Sequence, residues 1–245
     1  MINPNLPNKR VNTVIVSSDI TPKMRIALEN LGIECVTLTG MINCDPAVRN
    51  HPDLYLSHLS GECLVRFQNG CSADRDLPCG IVDVNILLSK TDVLSYKDEA
   101  AFNCVSIGED VICNPKLIHP EVLKKASELS KRIIPVKQGY TKCNVCVVDE
   151  KSVITEDNGI CKVLRKFGYD VLLINVGAVE LRGHEYGFVG GACGKISNDK
   201  LAFFGCIEKH PEYQRIYEFL KARGVTPISL SDEKLSDYGS LIPVL

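Results

Sequence analysis

The sequence predicts one α/β domain over residues 1–245, built from five ββαβ units, with the first unit completed by the chain's own end. Three observations carry this. First, three segments repeat one pattern: the last turn of an amphipathic helix, a Gly, then an apolar strand. They are residues 28–38 around Gly32, 164–174 around Gly168 and 220–230 around Gly224. A Gly suits the left-handed position that ends a helix, and the Leu four residues before each suits the helix's last core-facing turn. Second, a pair of short apolar strands around a polar turn precedes the later helices. Third, no stretch rich in Gly, Ser or Pro divides the chain.

The elements follow in order. A strand at 14–17, a helix opened by Thr21 and Pro22, and a strand at 35–38 make βαβ, one strand short. The missing strand is expected at 241–245. Residues 54–59 and 62–67 make a hairpin around Ser60-Gly61, 69–78 reads as a loop, and 82–88 as the closing strand. Next, 102–107 and 111–113 flank Gly108-Glu109-Asp110, His119-Pro120 opens a helix and 133–136 is its strand. The fourth unit has strands at 143–148 and 152–155, a helix at 158–167 and a strand at 171–174. The fifth has strands at 192–197 and 201–205, a helix opened by His210-Pro211 and a strand ending near Leu230.

Bulk properties narrow the function classes. A hydrophobic content of 45% is ordinary for a packed core, and the formal net charge of −2 does not steer the chain toward nucleic acid or an anionic membrane. The longest apolar runs, 171–174 and 86–88, are too short to span a bilayer. The N-terminus, MINPNLPNKR, lacks the order of a signal peptide, so a cytoplasmic location is expected. Twelve cysteines are many for this length, yet Cys35, Cys104, Cys113, Cys161 and Cys206 fall at core positions. They read as reduced, buried thiols rather than a disulfide framework.

Five ββαβ units in a ring, closed by pairing the last strand with the first unit, resemble the pentein fold, a five-fold pseudo-symmetric β/α propeller. That fold is found in guanidino-group-modifying enzymes: arginine and agmatine deiminases, dimethylarginine hydrolases, amidinotransferases and succinylarginine dihydrolase. It is also found in a non-enzymatic ribosome anti-association factor. The sequence anchors are Pro52-Asp53-Leu54-Tyr55-Leu56, Gly187-Phe188-Val189-Gly190-Gly191 and Asp237-Tyr238-Gly239-Ser240-Leu241. Within the fold the chain is similar to an uncharacterised bacterial family. The resemblance implies a Cys nucleophile on the last strand, a His as acid and base, and carboxylates that hold a guanidinium. Here the Cys position falls at Pro243 or a neighbour, and the His stretch, Gly139-Tyr140-Thr141-Lys142-Cys143, contains no His.

The chemistry-bearing candidates lie elsewhere. Residues 179–194 gather Glu180, Arg182, His184, Glu185 and Cys193 in a Gly-rich stretch. A Cys bordered by Gly beside a His suggests a relocated nucleophile, Cys193, with His184 as its base. The plain alternative makes the glycines a tight connection and Cys193 a strand residue. Arg182 and Glu185 join Asp53 and His58 as expected ligand contacts. Asp53 stands near where the resemblance implies an acidic substrate contact, and otherwise reads as a turn cap. His119 and His210, each before Pro, read as helix caps. Cys143 and Cys146, three apart on an expected strand, face opposite sides and argue against metal. The Cys63, Cys71, Cys79 series lacks a fourth ligand, so neither metal nor cofactor is expected. Gly-Lys-Ser/Thr is absent, so there is no P-loop.

Two readings of function stand. The chain binds a small polar ligand, guanidino or amino-acid-like, in a central channel, and acts as a hydrolase or amidinotransferase through Cys193. Alternatively, it is a non-catalytic binding or interaction module on the same scaffold. The ligand, the reaction and the oligomeric state are not specified by the sequence. A third possibility, one open α/β sheet, is distinguished by topology.

Overall fold

Helix caps and strand pairings divide the computed structural model, which describes residues 3–77, 80–84 and 95–244, into five small sheets. In chain order the strands and helices are β1 (Thr13–Ser17), α1 (Pro22–Asn30), β2 (Glu34–Gly40), β3 (Leu56–Ser60), β4 (Cys63–Phe67), β5 (Cys71–Ala73) and β6 (Ile81–Val84). Then come α2 (Tyr96–Glu99), β7 (Val105–Ile107), β8 (Asp110–Cys113), α3 (Pro120–Glu128), β9 (Arg132–Pro135), α4 (Thr141–Asn144), β10 (Val145–Val147) and β11 (Ser152–Thr155). The chain continues with α5 (Asn158–Lys166), β12 (Asp170–Leu173), β13 (Cys193–Lys195), β14 (Lys200–Phe203), α6 (Tyr213–Lys221), β15 (Thr226–Ser229) and β16 (Ile242–Val244).

Four sheets share one topology. An antiparallel hairpin is followed by a crossover to a third strand, parallel to the second: β3-β4-β6, β7-β8-β9, β10-β11-β12 and β13-β14-β15. The first sheet has the order β16-β1-β2-β5. Its β1 and β2 are parallel, and β16 pairs antiparallel with β1 in the register Val14 to Pro243. The expected pairing of the last strand with the first unit is thus present over Ile242–Val244, while Leu245 lies outside the described residues. No sheet closes on itself among the described residues.

The helices form where their ends are satisfied. The Thr21 hydroxyl accepts from the Met24 N–H, Asp157 from Ile160, and the His119 ring Nδ1 from Glu121. At the other end, Gly32, Gly168 and Gly224 take φ of +70°, +81° and +65°. Beyond each, the next residue's N–H reaches back to Leu28, Leu164 or Leu220. This Schellman closure explains the Leu-to-Gly repeat. The third unit uses the same closure with Ser130 at φ +55°, and Lys131 donates to the Ala126 carbonyl.

Four local expectations are corrected. Residues 69–78 are not all loop, because β5 adds an edge strand to the first sheet. Cys143 lies on α4 rather than a strand, because the Asn103 side chain accepts from the Lys142 N–H and holds that turn. Phe102 ends a 3-10 turn, and its strand starts at Val105. The His210 ring caps a turn by accepting from Glu212, and α6 starts only at Tyr213. The strand expected at 82–88 is seen as β6 through Val84, and residues 85–88 lie outside the described residues. No helix among the described residues is long and apolar enough to cross a membrane.

Candidate functional site

Polar side chains at the entry to the second, third and fourth units and near the chain's end are buried together. A 3-10 turn over Pro52–Leu54 carries Asp53 inward, where it is wholly buried. Its Oδ2 accepts from the Ser240 hydroxyl at 2.9 Å and from the Cys143 thiol at 3.0 Å. Its backbone carbonyl accepts from Asn103 Nδ2 at 3.1 Å, and the same amide nitrogen lies 3.3 Å from Cys143 Sγ. Asp53 Oδ1 has no hydrogen-bond partner among the described residues.

Two more carboxylates extend the cluster. Asp237 accepts from the N–H groups of Gly239 at 2.9 Å and Phe188 at 3.0 Å, and lies 3.7 Å from His51 Nδ1. Glu156, just after β11, accepts from the Val189 N–H at 2.8 Å. These approaches need glycine. A Cβ at Gly191 would stand 1.9 Å from Asp237 Oδ1, and one at Gly239 would stand 2.2 Å from His51 Cβ.

Burial sets the protonation here. It raises the Asp53 carboxyl above its ordinary range, lifts Asp237 to about 6 and lifts Glu156 to about 7. It lowers His51, which favours the neutral imidazole. The Cys143 thiol is pushed far up, first by burial and then by Asp53 and Asp237. Cys143 is therefore a protonated donor to Asp53 and not a thiolate.

His51 and Asp237 also form the floor of an open pocket of about 900 Å³. One wall is the segment 46–50 with Asp19, and the other is 177–185 with Lys234 and Ser236. His184 Nε2 and Asp45 Oδ2, 2.7 Å apart, tie the two walls together. Some lining charges are already matched: Lys234 with Glu180 at 3.3 Å, and Asp19 with the Asn50 amide at 2.9 Å. Arg49 is different, since its Nε is buried and without a hydrogen-bond partner among the described residues.

The structure distributes the sequence candidates unevenly. Arg182, His184 and Glu185 line the pocket. Asp53 lies in the buried cluster that includes the pocket's floor. His58 sits inside β3, 7% exposed, with burial lowering it to about 4 and Nδ1 unpartnered among the described residues. Cys193 sits on β13, 2% exposed, its sulfur 3.9 Å from the Gly190 carbonyl. It is absent from the pocket lining, and the partner of His184 is Asp45. Cys63 and Cys71 lie on β4 and β5, whereas Cys79 lies outside the described residues. No group of three or more His, Cys, Asp or Glu is placed to hold a metal ion among the described residues.

Sequence reasoning missed Asn103, Cys143, Glu156, Asp237 and Ser240 as members of the cluster. Their signal is position: Asn103 and Cys143 fall in the first two residues of predicted strands, Glu156 and Ser240 directly beside one, and Asp237 four residues before the last.

Comparison with solved structures places this arrangement in a fold. Over its whole length the chain superposes on 97% of the inosamine-phosphate amidinotransferase of Streptomyces griseus, with a TM-score of 0.58 and 10% identity. An amidinotransferase of the saxitoxin biosynthetic pathway from Microseira wollei matches 95% of this chain and 91% of its own, with a TM-score of 0.52 and 13% identity. The agmatine deiminase of C. jejuni matches 95% of this chain and 90% of its own, with a TM-score of 0.52 and 14% identity. The protein thus has the pentein fold of amidinotransferases and deiminases. Its sequence matches the family of unknown function DUF6873 over residues 15–242, and the chain belongs to that family. No curated protein matches the sequence.

Proposed function

We propose that the protein binds a small zwitterionic ligand, guanidino or amino-acid-like, in the pocket between residues 46–50 and 177–185. On this reading the five sheets are the blades of a ring sealed by β16 against β1, and the pocket is the mouth of its axis. The observation that carries the reading is the pocket's charge layout. The buried Asp237 and His51 form the floor, and Arg49 with its unpartnered Nε stands in the wall. A ligand cation near Asp237 and a ligand carboxylate on Arg49 would satisfy both. Charge-assisted contacts of this kind fix orientation as well as affinity.

Binding without thiol chemistry is favoured over the nucleophilic reading. The residues lining the pocket include no Cys, and Pro243 occupies a position in β16 that the resemblance gives to the nucleophile. The test is calorimetric titration with L-arginine, agmatine and L-glutamate, alongside assays for ammonia and urea. The expected result is binding of L-arginine, weakened at least tenfold by Arg49→Met or Asp237→Asn, with weaker binding of agmatine, which has no carboxylate for Arg49, and no product. Turnover at enzymatic rates would return the catalytic reading, and failure of all three ligands to bind would remove this one.

A further inference from the structure

The pocket wall at residues 177–185 belongs to a loop pinched at its neck. The Gly187 N–H donates to the carbonyl of the buried Val179 at 2.8 Å. The Glu180 N–H donates to the Leu235 carbonyl, and the Asp237 N–H to the Glu180 carbonyl, each at 2.8 Å. Beyond this neck, residues 181–186 form a tip in which Arg182, Gly183, His184 and Glu185 are exposed. The tip turns on itself through the His184 N–H and the Leu181 carbonyl at 3.0 Å, around Gly183 at φ +83°. A Cβ at Gly183 would meet nothing within 4 Å, so space is open on that side. Among the described residues, the tip makes one hydrogen bond or ion pair to another segment: His184 Nε2 to Asp45 Oδ2, 2.7 Å apart.

The other partner is a fixed post. Asp45 Oδ1 accepts from the Ala47 N–H at 2.9 Å, and the Asp45 carbonyl accepts from the Val48 N–H at 3.1 Å. Cys44, directly before it, is buried. The Ala47 bond first, and the His184 ring after it, hold the Asp45 carboxyl below its ordinary value, so it is an anion at neutral pH. The tie itself is weak. His184 is 42% and Asp45 40% exposed, and a pair so open to water shifts an equilibrium by only about threefold to fivefold. The neck is made of backbone bonds around a buried Val179 and outlasts it. Breaking the tie frees Arg182 and Glu185, which flank His184 and line the pocket.

We propose that residues 181–186 are a lid on the pocket, and that Asp45 is the post to which the lid is latched through His184. The latch rests on the pocket reading above for what it admits. Closed, it holds Arg182 and Glu185 in the wall. Open, it lets the ligand in and out. Asp45 is thus a positioning residue, and His184 serves the lid rather than a nucleophile.

The test is hydrogen–deuterium exchange of the full chain without ligand. In Asp45→Ala, amides at 181–186 should exchange about threefold faster or more, while those of β13 and β14 keep the wild-type rate. His184→Ala should do the same, and the double variant no more than either alone, because each removes one shared bond. Asp45→Asn, which keeps an acceptor, should fall between. With L-arginine as the probe, stopped-flow dissociation should also quicken about threefold or more in Asp45→Ala. Unchanged exchange at 181–186, single effects that add in the double variant, or loosening spread equally over β13 and β14 overturns the latch. Failure of L-arginine to bind would instead remove the pocket reading, since the exchange measurement needs no ligand.

Discussion

The Ser240 hydroxyl donates to Asp53 Oδ2 at 2.9 Å across 187 residues of chain, which fastens the C-terminal segment to the start of the second unit. Ser240 is held there in a left-handed conformation, φ +74°, by its own N–H bond to the Gly191 carbonyl. Replacing Ser240 with Ala leaves the wholly buried Asp53 carboxyl with Cys143 as its remaining side-chain donor. A stability loss of about 1–3 kcal/mol is expected by urea unfolding. An unchanged midpoint would mean that the bond contributes nothing.

Two buried groups give opposite responses to pH. Glu156 is raised by burial from 4.5 to about 7. Folding therefore favours its protonated form, and its contribution, present below pH 4.5, is lost as pH rises through 7. The size is on the order of 3 kcal/mol at most. His58 is lowered from 6.5 to about 4. Its contribution is complete above 6.5 and is lost as pH falls through 4. Glu156→Gln should therefore flatten the decline toward neutral pH, and His58→Gln the decline on the acid side. Unfolding free energies measured from pH 4 to 8 check both, and a Glu156→Gln curve parallel to wild type would refute the first.

Ser130 offers the opposite kind of change. It takes φ +55° at the end of α3, where the equivalent positions after α1, α5 and α6 hold Gly. Ser130→Gly removes the cost of that conformation, and a gain of about 1 kcal/mol is expected in thermal or urea unfolding. A loss of stability would show that the Ser side chain contributes more than its backbone strain costs.

Gly191 tests the floor of the pocket. Its methylated form, Gly191→Ala, would set a Cβ 1.9 Å from Asp237 Oδ1, so the carboxylate must move. Binding of the pocket ligand should fall at least tenfold while the chain still folds. Equal affinity would place the ligand away from Asp237.

Cysteine reactivity separates the two readings of Cys193. Among the described cysteines only Cys63 and Cys206 are partly exposed. Brief iodoacetamide treatment of the native protein should modify these two, and spare Cys143 and Cys193 until the protein unfolds. Rapid modification of Cys193, blocked by a pocket ligand, would restore it as a nucleophile.

The units after residue 102 were legible because each carries its own punctuation: apolar hairpin, cap and left-handed stop. Ser130 hid one repeat of the stop, since a Ser at that position carries no left-handed signal. Cys71–Ala73 was missed because a three-residue edge strand has no measurable period. The pocket's charged wall was legible in Arg182, His184 and Glu185, which are clustered in sequence. The buried acids were not, because Asp53, Glu156 and Asp237 are brought together only by pairings between distant units. Nothing local to Asp237 distinguishes it from a surface turn residue.

The pairing of β16 with β1 has a consequence for biosynthesis. β1 leaves the ribosome long before its partner β16, so the first sheet stays unfinished until β16 has emerged. The middle hairpins can form as they emerge, whereas β1 must remain with one hydrogen-bonding edge open. A nascent chain stalled before Ile242 should accordingly be the form most prone to aggregate or to engage chaperones.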